Sequence, residues 1–299
     1  MERYTNNSGT FYYGDNLLVM QALLNGDEAT GLPSMRGKID LIYIDPPFCC
    51  DADKKFGLPS WSKNTQSTNR VDEIFPEICK LGGIPIANYL RWLYPRLYLI
   101  KELLSERGSI YVHVDWHVGH YVKILLDDIF GKNNILNEII WCYKSGGVGD
   151  KTFSKKHDTI LFYKKGTNVI FNIQKEKSYM GLDYSTGNKN VKLYNDNDGL
   201  GPYTLVNVKD WWNTIGMLAT SSKERVGYAT QKPSELLERI IKASSNEGSI
   251  VADFFGGSGT TGAVAERLGR RWIMSDISPQ SLTTVIKRLN LTKEDISHD

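Results

Sequence analysis

A glycine-rich stretch near the carboxyl end of the chain reads Asp253-Phe254-Phe255-Gly256-Gly257-Ser258-Gly259-Thr260-Thr261-Gly262. It follows a predicted strand and opens a predicted helix. Glycines in such a turn let a ligand approach the backbone closely, and the helix N-terminus offers amide groups without helical partners. Asp276 ends the next predicted strand, roughly 20 residues beyond Gly257, the offset at which a carboxylate meets ribose hydroxyls in nucleotide-binding sheets. The pattern therefore predicts a nucleoside-type site.

The residue after Gly259 narrows the kind of ligand. It is Thr260 and not Lys, so a phosphate-binding P-loop is disfavoured. A nicotinamide dehydrogenase would still explain the loop, and a turn kept only for helix packing is the plain structural alternative.

Predicted strands and helices alternate on both sides of this loop. The strands are predicted at 39–44, 109–114, 136–143, 159–163, 249–254 and 271–275, and the helices at 88–106, 117–130, 234–245, 260–268 and from Pro279 onward. This alternation predicts an α/β fold with a largely parallel sheet.

Composition excludes several classes of protein. The chain has 299 residues of which 41% are hydrophobic, enough to bury the core of one large domain with an insertion or of two modest domains. No apolar run is long enough to span a membrane, and the N-terminus lacks the apolar core of a signal peptide. We therefore expect a cytoplasmic protein without a membrane partner.

Cysteine and histidine spacing gives no metal signature. The four cysteines form no Cys-x-x-Cys pair. His113, His117 and His120 have helical spacing, but 109–114 is a predicted strand and no Glu lies between the histidines. We predict no metal site.

A second motif, Asp45-Pro46-Pro47-Phe48, directly follows the predicted strand 39–44. Two prolines fix φ and remove two amide donors, so the Asp45 carboxylate and the Pro46 carbonyl can be held rigidly as acceptors. A stiff turn that only leads the chain out of the strand is the alternative.

Several motifs in one order make the chain resemble the β class of amino-methyltransferases, in which the catalytic motif precedes the cofactor motif. The main ones are 44–48, then Tyr228-Ala229-Thr230-Gln231-Lys232-Pro233, then 253–262. Shorter matches lie at 14–17, 108–115, 129–131 and 157–161, so the resemblance covers nearly the whole chain outside about 165–210.

The resemblance implies a Rossmann-like sheet of seven strands, with S-adenosylmethionine as cofactor at the carboxyl ends of the strands. It assigns Phe255, Gly257 and Gly259 to the cofactor loop together with Asp253. It further implies that Asp276 holds the ribose, that Lys232 flanks the methionine part and that Asp15 contacts the adenine of the cofactor. The chain departs from the pattern at Phe254, where Pro is usual, and at Cys49-Cys50.

The same motifs suit methyl transfer to the N6 amine of adenine. Asp45 and the Pro46 carbonyl can each accept one N–H of this poorly nucleophilic amine, and Phe48 can stack on the base. The base would have to be flipped out of the duplex. Cytosine N4 is the nearest alternative, although enzymes of that type more often begin the tetrapeptide with Ser. An RNA substrate and a catalytically silent DNA-binding subunit also remain open.

The middle of the chain differs from the rest. Residues 144–192 carry ten basic residues against four acidic ones, and the α/β alternation breaks down from Lys164 to Tyr228. We predict a catalytic half at 1–143, a target recognition region at 144–229 whose part 144–164 still packs on the sheet, and a cofactor-binding half at 230–299.

Within this region, Lys151, Lys155 and Lys156 are predicted to contact duplex DNA, and Trp211-Trp212 is predicted to close a small core. A homodimer and a cognate restriction nuclease are the other partners that we consider.

Overall fold

The structure is a computed structural model that describes residues 1–47, 69–80, 84–143, 151–179, 192–196 and 199–294. Its strands are β1 (Glu2–Thr5), β2 (Gly9–Tyr13), β3 (Ile39–Ile44), β4 (Leu104–Val114), β5 (Ile135–Cys142), β6 (His157–Lys164), β7 (Lys175–Tyr179), β8 (Tyr203–Asn207), β9 (Trp211–Trp212), β10 (Ile250–Asp253), β11 (Arg271–Asp276) and β12 (Thr292–Lys293). Its helices are α1 (Asn16–Asn25), α2 (Asn69–Ile74), α3 (Pro76–Lys80), α4 (Ile84–Leu103), α5 (Gly119–Phe130), α6 (Ser234–Ser244), α7 (Thr260–Arg267) and α8 (Pro279–Leu289).

One large sheet organises the described residues, in the order β12-β1-β2-β11-β10-β3-β4-β6-β5-β9. Strands β2, β11, β10, β3 and β4 are mutually parallel, whereas β6 runs antiparallel to β4 and β5. The predicted α/β fold with a largely parallel sheet is confirmed. The expected count of seven strands is wrong, because the short strands β1, β12 and β9 extend the sheet at its two edges and bring the number to ten.

The sheet is covered on both faces, which explains why the central strand β3 has apolar side chains on both of its sides. In β3, the side chains of Ile42 and Ile44 belong to one buried cluster, and those of Leu41 and Tyr43 belong to the other. Helices α1, α4 and α5 supply the first cluster, and α6, α7 and α8 supply the second. A parallel strand that is buried on both faces reads as a continuous apolar run, and for that reason the predicted range 39–44 matches β3 in full.

The boundary between α4 and β4 was predicted wrongly. The sequence suggested a helix that continues to Glu106 and stops at Gly108, but α4 ends at Leu103 and β4 begins at Leu104. Pairing with β3 explains the difference, since Leu104 lies opposite Ile39 ahead of a register shift. Tertiary pairing thus overrides the local glycine signal.

The middle region contributes to two sheets. Strands β7 and β8 pair with each other in a separate two-stranded sheet, whereas β6 lies inside the main sheet. The Trp211–Trp212 pair forms β9 at the edge of the main sheet, parallel to β5. Trp212 is buried, as the core prediction requires, but Trp211 is 44% exposed and does not belong to the core. None of the helices among the described residues has the length and apolar composition of a membrane span.

Candidate active site

Asp45 and Lys232 meet at the carboxyl end of β3, although 187 positions separate them in the sequence. Asp45 follows the last residue of β3, and Lys232 lies just before Pro233, the N-cap of α6. The Lys232 ammonium forms an ion pair with Oδ2 of Asp45, and both side chains are largely buried. Pro46 is buried and Pro47 is exposed, whereas Phe48 lies outside the described residues.

The glycine loop is held by Asp253, the last residue of β10. Its Oδ1 accepts a hydrogen bond from the Phe255 amide at 2.9 Å, and its Oδ2 accepts one from the Thr261 hydroxyl at 2.6 Å. Asp253 is only 3% exposed, and this burial raises its pKa to about 7. The carboxyl group therefore joins the two ends of the loop, which is a structural contribution to any site formed there.

Gly257 and Gly259 adopt backbone angles that favour glycine, with φ of 49° and 76°. The amide of Gly257 donates to Oδ2 of Asp276 at 2.8 Å, and the amide of Ser278 donates to Oδ1 at 2.8 Å. Burial raises the pKa of Asp276, and the amide hydrogen bonds oppose that rise. The structure thus brings the loop and the carboxylate at the end of β11 together, as the spacing predicted.

Tyr228 is a residue of this site for which no role was predicted from the sequence. A Cβ atom on Gly257 would lie 3.4 Å from Cε1 of Tyr228, so the tyrosine ring lies beside the loop. Burial raises the pKa of Tyr228 to about 12, and the charges of Asp276 and Asp45 add to the rise. Tyr228 therefore lies near both the catalytic motif and the cofactor motif.

Asp15 lies after β2 and is tied to two partners. Its Oδ1 caps α1 by accepting from the Leu17 amide at 2.9 Å, and its Oδ2 lies 3.2 Å from Nη2 of Arg96. Arg96 is 1% exposed, and burial lowers its pKa to about 10 while Asp15 opposes that effect. The described contacts of Asp15 are therefore structural, and its contact with a cofactor stays a prediction.

Arg96 links α4 to the glycine loop. Its Nε donates to Oδ1 of Asn16 at 2.7 Å, and Nδ2 of Asn16 donates to the carbonyl of Phe254 at 2.9 Å. The guanidinium also lies 4.4 Å from the centre of the Trp92 ring, which contacts Phe255 edge-on at 5.8 Å between ring centres. A charged residue inside an apolar helical pattern was the one signal in the sequence that could have pointed to it.

A buried hydrogen-bonded network lies behind Asp45. Tyr43 is hydrogen-bonded to Nδ1 of His113 at 2.9 Å, and Nε2 of His113 to Oδ2 of Asp158 at 3.1 Å. Tyr143 donates to Oδ1 of Asp158 at 3.1 Å. Burial is the largest single influence on Asp158 and disfavours its charged form, but the hydrogen bonds with His113 and Tyr143 and the nearby positive charge of Lys232 together outweigh burial, so the pKa of Asp158 is lowered.

The arrangement of His, Cys, Asp and Glu side chains shows whether they could hold a metal ion. Among the residues that the structure describes, no group of three or more His, Cys, Asp or Glu side chains is arranged to hold a metal ion.

The predicted DNA-contacting lysines precede β6. Lys151 and Lys155 are exposed and Lys156 is half-buried. No described contact joins them to Asp45. They nevertheless lie at the same edge of the sheet, because the beginning of β6 pairs with the end of β4.

The glycine loop with two left-handed glycines, the carboxylate of Asp276 beside it and the parallel sheet fit the nucleoside part of S-adenosylmethionine. Fold and site together define an S-adenosylmethionine-dependent methyltransferase. The family model described as DNA methylase, of the N6 and N4 type, matches residues 39–287. The chain belongs to this family of DNA amino-methyltransferases.

Two curated relatives illustrate the similarity. The Type II methyltransferase M2.DpnII of Streptococcus pneumoniae is 30% identical over 95% of this chain and 93% of its own length. The DNA adenine methyltransferase YhdJ of Escherichia coli is 25% identical over 91% of this chain and 83% of its own length.

Solved structures share the fold. The complex of M1.HpyAVI with S-adenosylmethionine has a TM-score of 0.54 at 18% identity, covering 94% of this chain and 98% of its own. The cytosine-N4-specific PvuII DNA methyltransferase has a TM-score of 0.60 at 16% identity, covering 98% of this chain and 90% of its own.

Proposed function

We propose that this protein transfers a methyl group to the N6 amine of an adenine flipped out of duplex DNA, at a site specified by sequence. The observation that carries the proposal is Asp45, a carboxylate held at the carboxyl end of β3 and paired with Lys232 from the segment that leads into α6. The glycine loop, which would bind the cofactor, connects the carboxyl end of β10 to α7 and so lies at the same edge of the sheet as Asp45. The Asp45 carboxylate and the Pro46 carbonyl are therefore two acceptors for an amine at the edge of the sheet where the cofactor would bind.

The adenine amine is a poor nucleophile because its lone pair is delocalised into the ring. Asp45 and the Pro46 carbonyl each accept one of its N–H groups, which fixes the nitrogen and favours a tetrahedral geometry. Pro46 and Pro47 have no amide protons that could compete for these acceptors. The ion pair with Lys232 fixes one carboxylate oxygen of Asp45, so that the other oxygen can face the amine.

S-adenosylmethionine, when bound, supplies a methyl group that leaves readily from sulfur. The chain would hold the cofactor with the loop residues Phe255, Gly257 and Gly259, with Asp276 at the ribose and with Lys232 near the methionine part. Asp253 keeps the loop closed through its two hydrogen bonds. Rate acceleration then depends mainly on orientation, since well-oriented reactants gain about 7–11 kcal/mol over free ones.

Cytosine N4 is the second candidate. The matching family covers both N6 and N4 methylation, and the fold of the cytosine-N4-specific PvuII enzyme is similar. Asp at position 45 favours adenine, and a relative such as YhdJ bears the name of an adenine methyltransferase. A catalytically silent subunit is disfavoured, because Asp45, Lys232 and the loop glycines are all present and arranged as a site.

Duplex DNA is the substrate that we propose for the region 144–229, with Lys151, Lys155 and Lys156 at its phosphates. Relatives with the names of Type II methyltransferases and of Type III Mod subunits support a role in a restriction-modification system. A cognate nuclease, a homodimer and a cytoplasmic location remain predictions.

Mapping modified bases in DNA from cells that express the protein tests the proposal directly. N6-methyladenine at one short sequence, absent from cells with Asp45→Ala, is the expected result. N4-methylcytosine at such a sequence would favour the second candidate. DNA without any modified base, together with S-adenosylmethionine binding in vitro, would contradict both.

A further inference from the structure

Two large aromatic side chains are exposed near the predicted DNA-contacting lysines. Phe153 is 99% exposed, and Trp116 is 43% exposed. Scattered single apolar residues are ordinary on a protein surface. Here, however, Phe153 lies between Lys151 and Lys155 in the sequence, so that an apolar and a cationic surface coincide. Such a combination suits a nucleic acid, which presents phosphates and flat bases together.

Topology places these residues at the edge of the sheet that carries Asp45. Strands β3 and β4 are parallel, with Ile44 opposite Val112, so Asp45 and Trp116 both follow the carboxyl ends of neighbouring strands. Strand β6 is antiparallel to β4, with Thr159 opposite Val114, so the segment that contains Phe153 and precedes β6 reaches the same edge.

The ring of Trp116 is held in place by its neighbours. It lies against the ring of His117, with 3.6 Å between the ring centres and a tilt of 31° between the ring planes, and Nδ1 of His117 is hydrogen-bonded to the buried Asp115 at 2.5 Å. The ammonium of Lys155 lies 3.5 Å from the centre of the Trp116 ring. The Lys155 ammonium therefore covers a face of the Trp116 ring, at the distance at which a stacked base would lie.

We propose that Trp116, Phe153, Lys151 and Lys155, here called the aromatic–lysine surface, bind the duplex beside the flipped adenine. Phe153 inserts into the base stack at the position that the adenine leaves, because an apolar side chain can replace the missing stacking. Lys155 moves from the Trp116 ring to a phosphate, and the uncovered ring stacks on a neighbouring base. The inference rests on the proposed function and adds the residues that would open the stack.

The test uses the full chain and Phe153→Ala, Trp116→Ala and Tyr98→Ala as matched aromatic deletions. Tyr98 is the control, since it is 52% exposed but lies near the end of α4, beside the amino end of β4. The first probe is a 30-base-pair duplex, which contains the methylated sequence where one has been mapped, and its binding is followed by fluorescence anisotropy. The second is a duplex with 2-aminopurine at an adenine that the wild-type protein methylates. Its emission rises when the base leaves the stack.

We expect Phe153→Ala and Trp116→Ala each to weaken duplex binding by about tenfold, the scale of one base–aromatic stacking interaction. They should also suppress the 2-aminopurine signal, whereas Tyr98→Ala should change neither readout. If Phe153→Trp keeps both signals, the losses in Phe153→Ala come from the missing aromatic ring and not from misfolding.

The outcomes separate this inference from the proposed function. Wild-type methylation with unchanged binding and emission in both alanine variants would overturn the inference alone. If wild type binds duplex DNA without methylating it, the proposed function fails and the binding arm alone decides the inference. Failure of wild type to bind duplex DNA would overturn both. If the two alanine variants lose binding to a single-stranded RNA probe but keep duplex binding, the inference is overturned and the surface is assigned to RNA.

Discussion

Asp45 is the residue on which the proposed chemistry depends most. We expect Asp45→Ala to abolish methyl transfer while leaving cofactor binding within about threefold, because Asp45 acts on the target amine and not on the nucleoside. Radiolabelled methyl transfer and calorimetric titration with S-adenosylmethionine measure the two effects. Turnover near the wild-type value would show that the assignment of Asp45 is wrong. Lys232→Met is the matched variant, since it removes the partner of Asp45 and should weaken cofactor binding as well.

Gly257 tests the cofactor loop. Its φ of 49° is strained for any residue with a side chain, and an added Cβ would lie 3.4 Å from Tyr228. We expect Gly257→Val to reduce S-adenosylmethionine affinity by at least tenfold in calorimetry. Gly216→Val is the control, because a Cβ on Gly216 meets no atom within 4 Å. Unchanged affinity in a folded Gly257→Val protein would locate the cofactor elsewhere.

Asp253 should make stability depend on pH. Burial raises its pKa from 3.8 to about 7, so between these values the folded protein keeps a proton that the unfolded chain has released. The contribution of this group to the free energy of unfolding is therefore full below about pH 4 and lost as the pH rises to about 7. Asn at this position has no such proton to release.

Urea midpoints of wild type and Asp253→Asn at about pH 5 and about pH 8 measure the effect. As the pH rises, the free energy of unfolding of wild type should fall relative to that of Asp253→Asn. The fall should be up to a few kcal/mol, at about 1.4 kcal/mol per pKa unit. Parallel pH profiles for the two proteins would show that Asp253 does not titrate as described.

At the scale of elements, strands with a clear local pattern could be predicted and contacts between distant segments could not. Strand β3 could be predicted because a continuous apolar run ends at Asp45-Pro46-Pro47. The hairpin β1–β2 and helix α1 were missed, because they are short and their burial comes from packing against β11 and α4. The roles of Arg96 and Tyr228 depend on partners far away in the sequence, about which local patterns carry no information.

The network of Tyr43, His113 and Asp158 joins β3, β4 and β6 behind the site. We expect Asp158→Ala to lower the free energy of unfolding by about 1–3 kcal/mol, because it leaves the fully buried His113 without that hydrogen bond. Glu73→Ala removes an exposed partner of Arg70 and should cost less than about 1 kcal/mol. Urea denaturation compares the two variants. Equal effects would mean that the network adds no stability beyond that of a surface pair.

For the whole molecule, the function of the middle region depends on how it meets the duplex. Phosphate contacts position a protein on DNA, whereas base contacts specify the sequence. Replacing Lys155 and Lys156 by Ala should therefore weaken binding to cognate and random duplexes about equally, and should flatten the salt dependence by roughly one unit of slope for each phosphate that is no longer neutralised. Unchanged binding and slope would identify a merely solvated lysine face.

Sequence choice should instead follow the insertion at 165–210, which breaks the α/β pattern and lies between the catalytic and cofactor motifs. Its strand β7 pairs with β8 apart from the main sheet, so the segment can change while the strands that carry Asp45 and the glycine loop stay in place. We expect a chimera with the matching segment of a relative that has another target to methylate the relative's site. Mapping N6-methyladenine in cells that express the chimera measures this, with the circular dichroism spectrum as the control for folding. A folded, active chimera that keeps the original site would show that recognition resides outside this segment.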